Sequence, residues 1–291
     1  MASDLIKKYF WNQGFDQQKL MSLLPGALSK KTTLYGPDSI ADALQLTNKM
    51  IVDARITDIR FMAYMLATVC HESAQTKKYR IPKLNKDGSP AIDPKTKQPI
   101  IKTPNLWMLF EPVEEIGHGK GSNYFLPVKV AKDGDGALIT EQDGDQFKVA
   151  SDGKFKPVGN GVRGSAASGK VSDVYTKAQG DEKSYFGRGL VQLTWWNSYA
   201  DMSPLLGRKL DLLFDPDLLL NFDISYDAMT KGMLEGKSFA NGNKCSKYFT
   251  DSLTDYHNAR DMVNSRDKLK LIETLAEAFE QLLLSARKKP A

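Results

Sequence analysis

The chain has 291 residues, 41% hydrophobic and 26% charged, with 40 Lys and Arg against 35 Asp and Glu for a net charge of +5. This is an ordinary globular composition with enough chain for one large domain or two lobes, and its two cysteines, Cys70 and Cys245, exclude a disulfide scaffold. No block of basic residues supplies a face that would track nucleic-acid phosphates; the small positive excess suits an anionic polymer such as a bacterial cell wall, and equally serves solubility alone.

The N-terminus opens Met-Ala-Ser-Asp without a basic region followed by an apolar one, and the longest nearly apolar run, Phe61 to Cys70, is about half of what a bilayer crossing needs. Neither a signal peptide nor membrane insertion is expected. Helical patterns cover about residues 4–12, 38–52 and 58–72, with breaks at Leu24-Pro25-Gly26 and Gly36-Pro37-Asp38 and with Asp38 and Thr57 as expected N-caps. Residues 83–104 carry Asp87-Gly88 and four prolines, and residues 126–161 repeat Asp-Gly at 133, 135, 143 and 152 among short alternating runs. Both stretches predict β-hairpins, and 163–183 reads as a flexible connection. Helices return at about 199–206, 216–221, 223–235, 244–250 and 256–264. A last amphipathic helix places Ile272, Leu275, Phe279 and Leu282 on one core-facing stripe.

Glu72 ends the apolar helix Phe61–Glu72, with Met65, Thr68 and Val69 on its own face one and two turns back. An apolar rim suits a general acid, although a solvated helix-end glutamate has the same local pattern. A zinc reading of His71-Glu72 fails because position 75, where the two-histidine helix motif needs its second His, holds Gln75. Calcium fails because Ala137 breaks the spacing of the Asp-Gly repeats, and the Gly117–Gly121 stretch lacks the spacing of a nucleotide P-loop. No metal or cofactor is expected. A second carboxylate is sought among Glu111, Glu114 and Glu115. In Tyr185–Tyr199, Gln192 and Thr194 are two apart, so an extended backbone would turn both to one side and Val191 and Leu193 to the other. Tyr185, Trp195, Trp196 and Tyr199 serve as sugar-stacking platforms or as packing.

Taken together these segments resemble the family 19 glycoside hydrolases, the chitinase and endolysin family, and especially its phage and prophage branch. The resemblance is carried by Ala67-Thr-Val-Cys-His-Glu-Ser-Ala74, Pro112-Val-Glu-Glu-Ile-Gly-His-Gly-Lys-Gly121, Tyr185-Phe-Gly-Arg-Gly-Leu-Val-Gln-Leu-Thr-Trp195, Asp215-Pro-Asp-Leu218, Tyr256-His-Asn-Ala-Arg260 and Met262-Val-Asn-Ser265. It spans about residues 55–285 and departs from the family's pattern at Ser198, at Ser265 and in the insertions 83–104 and 126–184.

The resemblance implies a mainly α, lysozyme-like α+β fold: a two-lobed helical glycosidase domain with a small β-hairpin insertion. Its parts would be an N-terminal helical region (1–54), a first catalytic lobe (55–125), a β-rich insertion (126–184), and a substrate strand with a C-terminal helical lobe (185–291). It implies Glu72 as general acid and Glu115 as general base, with Glu114 as rival. Gln192, Thr194 and Asn264 would hold substrate or water, Arg188 and Arg260 would brace the cleft, and Tyr185 and Trp195 would contact sugar. An inverting reaction would set the carboxyl groups about 6.5–9.5 Å apart. The expected substrate is peptidoglycan, with chitin as alternative and non-catalytic glycan binding in a phage particle or secretion device as another. The expected place of action is the periplasm or cell wall after synthesis in the bacterial cytoplasm, reached through a holin, virion injection or a secretion apparatus.

Overall fold

A computed structural model describes residues 8–10, 14–120, 128–130, 147–149, 155–157, 181–208, 211–263 and 267–288. The fold is helix-rich with small antiparallel sheets. Helices α1 (Gln17–Leu28), α2 (Ser39–Ile51) and α3 (Ile59–Glu72) come first. The pairs β1 (Gln75–Lys78) with β4 (Asn105–Met108) and β2 (Ile81–Pro82) with β3 (Ile101–Lys102) follow, then β5 (Val113–Glu114). Within the predicted insertion, β6 (Val128–Val130) pairs with β9 (Asp181–Lys183) and β7 (Phe147–Val149) with β8 (Phe155–Pro157). Its expected Asp-Gly turns lie outside the described residues. β10 (Arg188–Gly189) pairs back onto β5, and α4 (Trp196–Leu205), α5 (Asp211–Phe214), α6 (Phe222–Glu235), α7 (Cys245–Tyr248) and α8 (Leu269–Ala286) complete the chain.

α3 is the central element, and its sequence explains why. Eleven of its 14 residues are buried, so it is apolar nearly all round and must lie inside. α8 packs along it with the predicted stripe of Ile272, Leu275, Phe279 and Leu282. Truncating a fully enclosed core residue such as Leu66 to Ala costs about 2–5 kcal/mol. The helix begins where Asp58 accepts from the Arg60 N–H at 2.8 Å, so the cap is Asp58 and not Thr57. Arg60 is itself buried, paired with Asp58 at 2.6 Å and donating through Nη1 to the Thr250 and Leu253 carbonyls, which pins that distant loop to the start of α3.

α1 corrects a second expectation, because it runs through Pro25 and Gly26 where a break was predicted. Leu20, Leu24, Ala27 and Leu28 form a buried stripe that outweighs the local signal. The carbonyl that Pro25 leaves without a helical donor belongs to Met21, a residue on the exposed side of the helix at 54%. A second core cluster gathers Tyr185, Leu193, Trp196, Tyr199, Leu212, Leu213 and Leu219 from α4, α5 and their neighbours. The main cluster and this one flank the segment 185–195, which therefore carries side chains at a boundary between two cores.

Candidate functional site

Four separate elements meet around a cavity of about 510 Å³. The end of α3 contributes Glu72, the residue after β5 contributes Glu115, the hairpin after β10 contributes Gln192, Thr194 and Trp195, and the segment after the 3₁₀ helix Asn258–Met262 contributes Val263. The end of α3 is held in place by Ser73, whose buried hydroxyl donates to the Val69 carbonyl at 2.8 Å and accepts from the Phe110 N–H at 3.0 Å.

Glu72 has 12% of its side chain exposed, and its Oε1 lies 2.5 Å from Nη2 of Arg260, a fully buried guanidinium. Arg260 is anchored by its Nε, which donates to the Asp267 carbonyl at 3.0 Å. The Glu72–Arg260 contact is a charge contact rather than an aligned hydrogen bond: Glu72 Oε1 and both Arg260 Nη atoms are buried without a hydrogen-bond partner among the described residues. Buried polar atoms left without a partner are uncommon in folded proteins. On the other flank, Lys31 Nζ donates to His71 Nδ1 at 2.9 Å. Burial first, and the neighbouring cations Lys31 and Arg260 next, hold the His71 imidazole down at about pKa 4, so it is neutral at pH 7.

β5 separates the two rival glutamates. Successive side chains on a strand point to opposite faces, and the ladder continues past β5 because the Glu115 N–H donates to the Gly187 carbonyl at 2.7 Å. Glu115 turns to the cavity, and its Oε2 accepts from the Gly187 N–H at 3.1 Å. Glu114 turns away toward His118 (3.2 Å) and Arg188 (3.8 Å).

The segment 185–195 departs from the extended run predicted for it. Residues 190–192 form a turn closed by reciprocal hydrogen bonds between Arg188 and Leu193, and Gln192 sits in the left-handed region at φ 51°. Gln192 and Thr194 both line the cavity and Leu193 is buried, but Val191, expected on the far side with Leu193, lines the cavity too because the turn breaks the alternation. The Gln192 amide is already engaged, since Nε2 donates to the Val113 carbonyl at 2.9 Å and the Gly189 carbonyl at 3.1 Å. Its Oε1 stands against Gly187, where an added Cβ would come within 2.8 Å. This side chain ties β5 to β10 and presents an acceptor.

One predicted sugar contact is corrected. Tyr185 is 1% exposed, donates its hydroxyl to the Leu213 carbonyl at 2.8 Å and meets Tyr199 edge-on at 5.2 Å, so it belongs to the second core. Arg188 is 5% exposed, stacks 3.6 Å over the Phe186 ring and pairs through Nε with Asp217 at 2.8 Å. It braces the hairpin from beneath rather than lining the cavity. Arg260 also braces rather than lines, through Glu72. Trp195 lines the cavity, and Asn264 lies outside the described residues.

A second basin of about 500 Å³ adjoins the first and shares Val191, Gln192, Thr194, Trp195 and Val263 with it. Its far side is built by Ser198, Phe239, Asn241, Asn243 and Asp261, and of these the sequence reading singled out only Ser198. The run Asn241-Gly242-Asn243 was a legible turn signal, and Asn241 and Gly242 do adopt positive φ, at 46° and 86°. Together the basins form a groove with two carboxylates at one end and amides and an aromatic pair along it. Among the described residues no group of His, Cys, Asp and Glu could hold a metal ion, and no helix is long and apolar enough to cross a membrane. Compared with protein-family models, curated proteins and solved structures, the chain finds no match.

Proposed function

We propose that the chain is an inverting glycoside hydrolase that cleaves β-1,4 bonds between amino sugars of peptidoglycan, on a two-lobed lysozyme-like fold. The single observation that carries this reading is the convergence of Glu72 and Glu115, from α3 and from the end of β5, on one cavity floored by Gln192 and Thr194 and walled by Trp195. In this reading Glu72 donates a proton to the glycosidic oxygen as the bond to the anomeric carbon breaks. Glu115 takes a proton from a water that attacks the same carbon from the opposite face. The Gly187 N–H orients the Glu115 carboxylate for that water. Trp195 offers an apolar face to a sugar ring, and the second basin extends the groove for further sugars. A bacterial wall would be the site of action after synthesis in the cytoplasm.

One observation favours a second reading. Arg260 faces the Glu72 carboxylate at 2.5 Å, and a carboxylate held in an ion pair suits a groove that binds glycan without cleaving it. Incubation of purified Gram-negative peptidoglycan with the wild type, Glu72→Gln and Glu115→Gln, followed by mass spectrometry of soluble fragments, separates the two. The hydrolase reading expects fragments with new reducing ends from the wild type alone, and the identity of the reducing sugar names the bond. Wall binding by all three proteins without released fragments establishes the binding reading instead. Release from chitin oligomers but not from peptidoglycan would reassign the substrate.

A further inference from the structure

The strand pairings between residues 81 and 102 share one parity. β2 and β3 pair Pro82 with Ile101, and beyond them Leu84 bridges Pro90 and Ile92 bridges Pro99. Residues paired across an antiparallel ladder, and residues two apart along a strand, share a face. Pro82, Leu84, Pro90, Ile92, Pro99 and Ile101 therefore face the same way. All six are exposed, Leu84 at 57%, Ile92 at 50% and Ile101 at 44%. The opposite parity holds Ile81, Ala91 and Ile100, which are buried or half-buried, together with the exposed Lys83 and Lys102. This inverts the usual division of an antiparallel sheet, whose solvent face is polar.

Charge surrounds the apolar face. Between Lys77 and Lys102 stand eight basic residues and two acidic ones, so this stretch alone carries more positive charge than the net +5 of the chain. Both acids are turned into their own hairpin turns: Asp87 accepts from the Ser89 N–H at 3.0 Å, and Asp93 from the Lys95 and Thr96 N–H groups at 2.7 and 3.1 Å. Lys86, Lys95 and Lys97 project from the two turns, exposed and without an ion pair among the described residues.

We infer that this ribbon docks on an anionic lipid surface. A patch of exposed aliphatics and prolines rimmed by unpaired lysines matches both layers of such a surface, the lysines meeting acidic headgroups and the apolar side chains entering the boundary below them. A protein partner is the poorer fit, because the six side chains of the face are all aliphatic or proline and include none of the aromatic and arginine anchors that dominate protein interfaces. The ribbon lies outside the carboxylate cavity, so the inference stands apart from the proposed hydrolase reading.

Co-sedimentation of the full chain with vesicles of phosphatidylethanolamine and phosphatidylglycerol, against vesicles of phosphatidylcholine alone, tests it. The wild type pellets with the anionic vesicles only and is released by salt. Leu84→Ser/Ile92→Ser/Ile101→Ser and Lys86→Glu/Lys95→Glu/Lys97→Glu both lose binding, the second by roughly fivefold for each lysine removed. Thermal melts show that both variants remain folded. A wild type that stays in the supernatant, or either folded variant pelleting like the wild type, overturns the inference. So does a concentration-dependent dimer that the serine variant abolishes without any vesicle binding, since a second copy would then cover the face.

Discussion

Glu72→Gln separates stability from turnover, because different neighbours set the two effects. Removing a catalytic carboxylate commonly stabilises a protein by relieving a strained site. Here the Arg260 contact reverses that sign. The guanidinium is fully buried, and without Glu72 the hydrogen bond it keeps among the described residues is the one from Nε to the Asp267 carbonyl at 3.0 Å. Outright loss of one partner of a buried pair costs about 3–5 kcal/mol. Glutamine keeps an acceptor oxygen of similar reach, and the position is 12% exposed. The expected loss is therefore well below outright removal, about 1–2 kcal/mol, because the charge of the contact goes while an oxygen stays against the guanidinium. At roughly 2–4 °C per kcal/mol, Tm falls by about 2–8 °C. Release of reducing ends, assayed well below that Tm, falls by about 10²–10⁴-fold if Glu72 is the general acid. A double-mutant cycle with Arg260→Ala isolates the pair. A Tm that rises in Glu72→Gln, with a coupling energy below about 0.5 kcal/mol, refutes the ion-pair argument. Wild-type turnover in Glu72→Gln refutes the acid assignment.

Two further substitutions probe groups around and beyond the cavity. Burial, with Glu111 and Asp38 adding to it, pushes the Asp42 carboxyl up from 3.8 to about 6, and its Oδ2 is buried without a hydrogen-bond partner among the described residues. A carboxyl raised on folding contributes nothing unfavourable below its unfolded value and costs stability as pH rises toward its folded one. Melting curves should show Asp42→Asn more stable than the wild type at pH 7, with the gap closing by pH 4; a constant gap across that window contradicts the assignment. His71, lowered to about 4, acts in the opposite direction over the same window, so the comparison must be made against the wild type and not read from its profile alone. Gly187→Ala places a methyl 2.8 Å from Gln192 Oε1 and 3.3 Å from its Cβ, against an amide already held by the Val113 and Gly189 carbonyls. The melt should show a loss of about 1–3 kcal/mol while turnover, assayed on folded protein, drops at least tenfold, and unchanged turnover removes Gln192 from the site.

Much of this was legible because it is local. The apolar run Phe61–Cys70 could only be an enclosed helix, and that placed Glu72 at the edge of the core. The stripe from Ile272 to Leu282 declared the core face of α8. What stayed hidden was set by long-range packing. Helix α1 passes through Pro25 because its buried stripe is satisfied elsewhere, and no local rule reports that. The pairing of Glu72 with Arg260 joins the end of α3 to a 3₁₀ helix far along the chain. Tyr185 read as a sugar platform, and only the Leu213 carbonyl placed opposite its hydroxyl makes it core.

The ambiguity between Glu114 and Glu115 shows where sequence reasoning could have gone further. Two adjacent acids in a loop are interchangeable, but two adjacent acids on a strand cannot face the same side. Val113 is 5% exposed and packs inward, and the hairpin partner Arg188 stands opposite Glu114 in register. Once Pro112–Glu115 is taken as a strand, a glutamate facing Arg188 becomes the brace and its neighbour is turned to the other face, where Gly187 offers its N–H. The arginine of Gly187-Arg188-Gly189 and the first glutamate then form one structural unit with Asp217, and the second glutamate is left for the cavity. Alternation does not place Gln192, which reaches the cavity from within the turn at φ 51°, whereas Thr194 follows after the Arg188–Leu193 pair closes that turn. At the strand end, however, alternation constrains more than residue type does, and it is alternation that assigns the acids.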